Sequence, residues 1–248
     1  MPVRRTSLAR PVLEVAPALL GAVLRRTTDE GTVAVRITEV EAYDGPNDPG
    51  SHAYRGQTAR NAVMFGPPGF LYVYFTYGMH FCMNISAGPD GQPSAVLLRA
   101  GEVTEGLDLA RARRGAAPPT ASATASASAA TSASAATSAS AATSAVPASA
   151  SAEPAAPAGA GLRRIADRDL ARGPARLCVA LGITRDANGV DLLSRDSPVQ
   201  LLPGTPFTGT PATGPRVGLR EAADRPWRFW IPGEPSVSPY KPHVPKRR

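Results

Sequence analysis

From Gly115 to Gly161 the chain is built almost wholly from Ala, Ser, Thr and Pro, with a repeating SASAAT pattern around Ala121–Ser144. The stretch has no aromatic residue, one large aliphatic (Val146) and one charge (Glu153). Alanine favours helix, but without an apolar stripe such a helix has nothing to bury. Residues 115–161 are therefore predicted to be a disordered insert. Residues 1–114 and 162–248 must then complete one domain together, and roughly 200 residues suffice for a single core.

Composition narrows the class of partner. The 248 residues carry a formal net charge of +7, which suits a polyanion such as nucleic acid or an acidic membrane surface. The lysines are Lys241 and Lys246, so nearly all of the positive charge is arginine, whose planar fork matches phosphate oxygens. Cys82 and Cys178 are far apart and lack metal-type spacing, as expected of two small buried side chains. Pro11, Glu14 and Pro17 interrupt the apolar stretch that a signal peptide would need, and no run of about 18 apolar residues is present. A soluble, cytoplasmic protein is expected.

Hydrophobic periodicity predicts an α+β domain. An opening helix near Pro11–Leu19, broken or kinked at Pro17, precedes a hairpin whose arms Leu20–Arg26 and Thr32–Val40 flank the turn residues Thr28–Gly31. Val33, Val35 and Ile37 alternate with Ala34, Arg36 and Thr38, so one face of the second arm is buried. Phe70–Ile85 forms a β segment interrupted at Gly78, and Ala95–Ala100 forms another. After the insert, Gly173-Pro174 opens a helix that Gly182 closes, and strands fit Val199–Leu202, Arg216–Leu219 and Trp227–Ile231. Strands come in runs, which implies a curved, mainly antiparallel sheet, open-barrel-like, flanked by helices.

Several residues are candidates for chemistry. Glu39 and Glu41 lie two apart near a strand end and face the same way; they are a hydrolytic pair or solvated edge charges, and spacing alone does not choose. The loop beyond them is dense in turn formers and carries His52, with no second histidine at ligand spacing, so no metal is expected. Tyr72 and Tyr74 share a strand face and Tyr77 adjoins Gly78; such tyrosines fill a core or stack nucleobases. Asn84 and Arg99 sit in apolar strands and need partners if buried, with Glu41 the natural one for Arg99.

These segments carry a resemblance. ITEVEAYDGPNDPGSHAYRG (37–56), TARNAVMFGPPGFLYVYFTYGMHFCMNIS (58–86), AVLLRA (95–100), ARGPARLCVALGI (171–183) and PRVGL with PWRFWIPG (215–219, 226–233) resemble the alkyladenine (3-methyladenine) DNA glycosylases in order and spacing. The likeness spans nearly the whole chain outside its ends and the insert.

The resemblance implies a monofunctional glycosylase acting on double-stranded DNA that contains an alkylated or deaminated purine. By that likeness Glu41 deprotonates the attacking water and Arg99 holds the carboxylate and water. Tyr43 and His52 would clamp the flipped base from one side and Tyr74 from the other. Tyr77 would fill the gap left in the duplex, and Asn84 would guard the pocket floor against a purine 2-amino group. Such an enzyme must extrude its nucleotide, and an inserted aromatic offsets part of that cost. A cationic alkylpurine leaves readily and stacks on tyrosine faces, whereas a neutral base needs protonation, for which His52 is a candidate acid. Arg55 and Arg60 would contact the DNA backbone.

The scarcity of lysine, with neither Lys241 nor Lys246 expected near the site, argues against a Schiff-base lyase, and Pro2 lacks an acidic neighbour. No cofactor is implied, and a monomer would suffice. The insert occupies a shorter connection in the family, and His80 stands where some members carry an aromatic. A non-catalytic nucleic-acid-binding module is the alternative, but it gains nothing from a carboxylate beside phosphate. A carbohydrate hydrolase is poorly served by two carboxylates on one strand face.

Overall fold

The chain enters through two short helices, α1 (Arg5–Leu8) and α2 (Val12–Ala18), in a computed structural model that describes residues 3–76, 78–115 and 164–244. Pro11 caps α2, and Pro17 stands in its last turn, where it has no N–H to offer the carbonyl one turn back, so the helix runs only one residue past it. Val12, Val15 and Ala16 form its buried face.

The predicted hairpin follows as β1 (Val23–Thr28) and β2 (Gly31–Tyr43), with Thr28 paired to Gly31 at the turn. Next come β3 (Leu71–Thr76) and β4 (His80–Ala87), joined through Gly78 at φ +66°, and the long β5 (Ser94–Glu105). Helix α3 (Leu107–Arg113) leads toward the insert, and α4 (Asp167–Leu170) and α5 (Pro174–Leu181) follow it. The last three strands are β6 (Val199–Leu202), β7 (Ala212–Gly214) and β8 (Arg228–Trp230). The predicted insert, Gly115 apart, and Tyr77 lie outside the described residues.

Every strand pair is antiparallel. The order is β3-β4-β5-β2-β1-β6, with β8 against the far end of β2 and β7 outside β8. The sheet curls into a half-barrel, as the α+β reading anticipated. Helices α2 and α5 pack on one face of it, around a core that includes Leu71, Val73, Met83, Ile85, Val96 and Leu98. Leu98 has no exposed surface, and truncating such a residue to Ala costs about 2–5 kcal/mol.

A double bulge decides what the other face carries. Ile37 pairs with Gly101, Glu39 with Ala100 and Val40 with Leu98, which leaves Thr38 on β2 and Arg99 on β5 as extra residues. One extra residue inverts the alternation of a strand. Before the bulge Val33, Val35 and Ile37 face the core; after it Val40 and Ala42 do. Glu39, Glu41 and Tyr43 are thereby turned out of the apolar interior that their odd numbering would otherwise place them in. Gly101 makes the bulge possible, since a Cβ there would sit 2.3 Å from Val35 Cγ1 and 2.5 Å from the Arg36 carbonyl oxygen.

One predicted strand is corrected. Arg216–Leu219 is a turn, and the strand lies just upstream at Ala212–Gly214. Gly218 adopts φ +74°, and the Arg216 side chain is drawn inward to Asp48, so the segment cannot lie flat along a neighbour.

Candidate active site

Tyr72, Asn84, Leu97, Glu41 and Arg228 are successive cross-strand partners across β3, β4, β5, β2 and β8. Directly paired residues point to one face, so the register alone gathers these five side chains. Tyr43 opposite Ala95, and Tyr74 opposite Cys82, lie in the flanking rows. Together with the loop carrying His52 and the turn at Val217–Leu219 they enclose a cavity of ≈ 400 Å³, whose walls include Tyr43, His52, Tyr72, Tyr74, Asn84, Leu97 and Arg99. That is within the ordinary range for a small-ligand site.

Glu39, Glu41 and Arg99 meet behind the wall. Glu39 and Glu41 are fully buried and Arg99 is 5% exposed. Arg99 donates from Nε to Glu39 Oε1 at 2.7 Å, and its Nη1 lies 3.2 Å from Glu41 Oε1. The Val217 N–H donates to Glu41 Oε1 at 2.7 Å, and the Tyr43 hydroxyl donates to Oε2 at 2.8 Å. Glu39 accepts also from Arg228 Nε (2.7 Å) and from the Ser238 N–H (2.6 Å) and hydroxyl (2.9 Å). Burial pushes Glu39 up, but the charges of Arg99 and Arg228 and the Ser238 donors overcome it and hold the carboxyl below the usual range. Burial likewise opposes the charge on Arg99, and Glu41 with Glu39 outweighs it.

The aromatic wall is tightly knit. Tyr72 and Tyr74 stack with centroids 5.5 Å apart, and His52 meets Tyr74 edge-on at 4.6 Å. His52 Nδ1 lies 3.0 Å from the Tyr72 hydroxyl. A base between two rings needs about 7 Å, twice the ~3.4 Å rise of stacked DNA. His52 and Tyr74 thus touch each other, and a base enters between them only if one ring moves. His52 is exposed to solvent as a residue, but desolvation of the ring against its packed neighbours, assisted by Arg60, brings its pKa down to about 4. Burial also pushes the Tyr43 and Tyr74 hydroxyls well up, so both remain donors. Asn84 spends one amide N–H on the Tyr72 carbonyl at 3.2 Å.

The remaining predicted residues fall around the mouth. Arg60 lies 5.3 Å over the Tyr74 ring, and Arg55 is exposed in an adjoining cleft beside His52. His80 and Met79 are exposed at the β3–β4 turn; Tyr77 is outside the described residues. Lys241 departs from expectation: its carbonyl accepts from the Gly218 N–H at 3.2 Å, so the C-terminal segment passes beside the cavity wall. Among the described residues no cluster of three or more His, Cys, Asp or Glu side chains suits a metal ion, and no helix is long and apolar enough to cross a membrane.

Sequence reasoning missed a second buried cluster. Arg216 has no exposed surface and forks onto Asp48, with Nη2 2.7 Å from Oδ1 and Nη1 on Oδ2. Its Nη1 also donates to the Ala42 carbonyl at 3.0 Å, and its guanidinium lies 4.6 Å from the Tyr43 ring centre and 5.1 Å from that of Trp227. Arg228 and Ser238, which complete the Glu39 cluster, were missed as well. Nothing local marks these residues, because each finds its partner more than 160 positions away.

Residues 6–235 match the family model described as methylpurine-DNA glycosylase. A protein of Streptomyces avermitilis named "Putative 3-methyladenine DNA glycosylase" is 47% identical over 250 residues, covering 100% of this chain and 95% of its own. A protein of the same name from Leifsonia xyli subsp. xyli is 50% identical over 235 residues, 93% of this chain and 89% of the relative. A third, from Nocardia farcinica, is 44% identical over 232 residues, 91% and 85% of the two chains.

Proposed function

Since the chain belongs to the methylpurine-DNA glycosylase family, we propose that it is a DNA-repair glycosylase that flips alkylated or deaminated purines out of duplex DNA and hydrolyses their N-glycosidic bond. One observation carries the mechanism. A single carboxylate, Glu41, is held by Arg99, Val217 and Tyr43 directly behind an aromatic cavity of ≈ 400 Å³.

A carboxylate offers about four lone-pair positions. On Glu41, Oε1 serves Val217 and Arg99, and Oε2 serves Tyr43, which leaves one position on Oε2. In this reading the attacking water binds there, gives its proton to Glu41 and adds to C1′ as the base departs. Arg99 keeps the carboxylate aimed. Tyr43, His52 and Tyr74 stack on the extruded purine, and Asn84 rejects a 2-amino group at the floor. Tyr77 takes the place of the lost base in the duplex, and Arg55 and Arg60 meet phosphates.

His52 is a poor general acid in this scheme, because a group with a pKa of about 4 carries no proton to spare near neutrality. Cationic alkylpurines, which leave without protonation, are the substrates this site suits best. Water as nucleophile implies an abasic product without strand cleavage. The enzyme acts as a monomer in the cytoplasm.

The test is a duplex oligonucleotide carrying one ethenoadenine or hypoxanthine, with methylated duplex DNA as the source of 3-methyladenine. Wild type should leave an alkali-labile abasic site, and Glu41→Gln should bind the duplex but release no base. Release by Glu41→Gln at the wild-type rate would overturn the mechanism. Binding without release by wild type would favour the non-catalytic alternative. Tyr77→Ala should lose more activity on duplex than on single-stranded substrate; equal loss would remove the wedge.

A further inference from the structure

The buried Arg216–Asp48 pair is unexplained by the reaction as written. Removing two charges from water is costly, and such a pair adds little stability over apolar residues of similar volume. Its placement is more informative than its charge. The Arg216 guanidinium lies over the Tyr43 and Trp227 rings, at 4.6 Å and 5.1 Å from their centres, and donates to the carbonyl of Ala42, the residue between Glu41 and Tyr43. The next residue in the chain, Val217, supplies the N–H on Glu41 Oε1. Asp48, at the other end, also accepts the Gly50 N–H at 3.0 Å and so fixes the loop that leads to His52. Gly50 is packed against the same guanidinium, since a Cβ there would lie 2.9 Å from Arg216 Nη2.

We propose that Arg216 is a positioning residue for the general base, acting through Tyr43: it fixes the ring so that the hydroxyl stays on Glu41 Oε2 while the ring forms the cavity wall. The inference rests on the glycosylase reading of the site and goes beyond it by giving Tyr43 two tasks. The ring meets the base, and the hydroxyl takes one lone pair of Oε2 so that water has a single place to bind. Arginine is needed because a flat cation stacks behind a ring and forks onto Asp48 at once, which lysine cannot do.

The two tasks separate in Tyr43→Phe, which keeps the ring and loses the donor. Single-turnover base release should fall about tenfold or more, while affinity for the lesion duplex stays within about threefold of wild type. A carboxylate that loses a donor titrates higher, so the acid limb of the pH–rate profile should move to higher pH. The charged and titratable groups facing Glu41 are Arg99, its cross-strand partner Arg228, Glu39, Tyr74 and Cys82, all unchanged in that variant. Arg216→Lys, confirmed as folded by its thermal transition, should show the same drop in rate and the same shift of the acid limb. A Tyr43→Phe enzyme with wild-type rate and pH profile would overturn the proposal. So would a folded Arg216→Lys enzyme whose only defect is weaker DNA binding. Both outcomes presuppose base release by wild type, so they are distinct from failure of the glycosylase reading, in which wild type itself is inactive.

Discussion

The Nε of Arg99 lies 2.7 Å from Glu39, nearer than its Nη1 comes to Glu41 at 3.2 Å. The residue that holds the proposed general base is therefore itself held by a second carboxylate two positions upstream. Glu39→Gln leaves Arg99 and Arg228 buried with too little negative charge. Breaking a buried ion cluster from one side costs about 3–5 kcal/mol. Urea denaturation should show a loss of that order, and base release should fall with it. The pH dependence has a definite sign. Glu39 is depressed below the usual carboxylate range, so its contribution is complete above that range and is lost as pH falls through the depressed value. Glu39→Gln should flatten that acid limb of the stability curve; an unchanged limb would show that Glu39 does not carry it.

His52 should remain neutral down to about pH 4. Between 6.5, its ordinary value, and about 4 the unfolded chain takes up this proton and the native chain does not. Stability due to His52 is thus present above 6.5 and declines as pH falls through that window. The exposure of His52 to solvent keeps the effect small. The imidazole resonances, followed by NMR, should titrate near 4, and His52→Gln should leave the shape of the rate profile between about pH 5.5 and 8 unchanged. A His52 titration near 6.5 would return it to the role of acid.

Tyr72 holds His52 against Tyr74, and that contact must open for a base to enter. The hydroxyl contact to Nδ1 is a neutral hydrogen bond, worth about 0.5–1.5 kcal/mol. Tyr72→Phe removes it and keeps the ring. Affinity for a lesion duplex should rise by roughly two- to tenfold, read by fluorescence anisotropy at fixed salt. Weaker binding would mean that the His52–Tyr72 contact belongs to the bound state.

Much of this site was legible in sequence because its parts are local. The EAY segment, the His52 loop and the stretch with Tyr72 and Tyr74 on β3 are each contiguous in sequence and so carry the family resemblance, which spacing alone does not supply, and alternation correctly set the core face of β2 as far as Ile37. The double bulge was not legible, since Thr38 and Arg99 are ordinary strand residues by composition and become extra only through the pairing of β2 with β5. The Arg216 and Glu39 clusters were hidden for a related reason: their partners are distant in sequence. The stretch containing Arg216 reads as a strand by its residue types, and only its pull toward Asp48 makes it a turn.

Lys241 offers the sharpest check on water as nucleophile. Lysine scarcity argued against an amine route on the expectation that neither lysine approaches the site, but the Lys241 carbonyl is bonded to Gly218 in the cavity wall. Its side chain is exposed, so it is available to phosphate at the mouth. A Schiff base with C1′ would be trapped by borohydride as a covalent protein–DNA adduct. Wild type should give none, and Lys241→Ala should release base at the wild-type rate. If Lys241 meets backbone instead, the same variant should reduce the slope of log affinity against log salt by about one. An adduct that forms with wild type and vanishes in Lys241→Ala would replace water with the amine as the nucleophile.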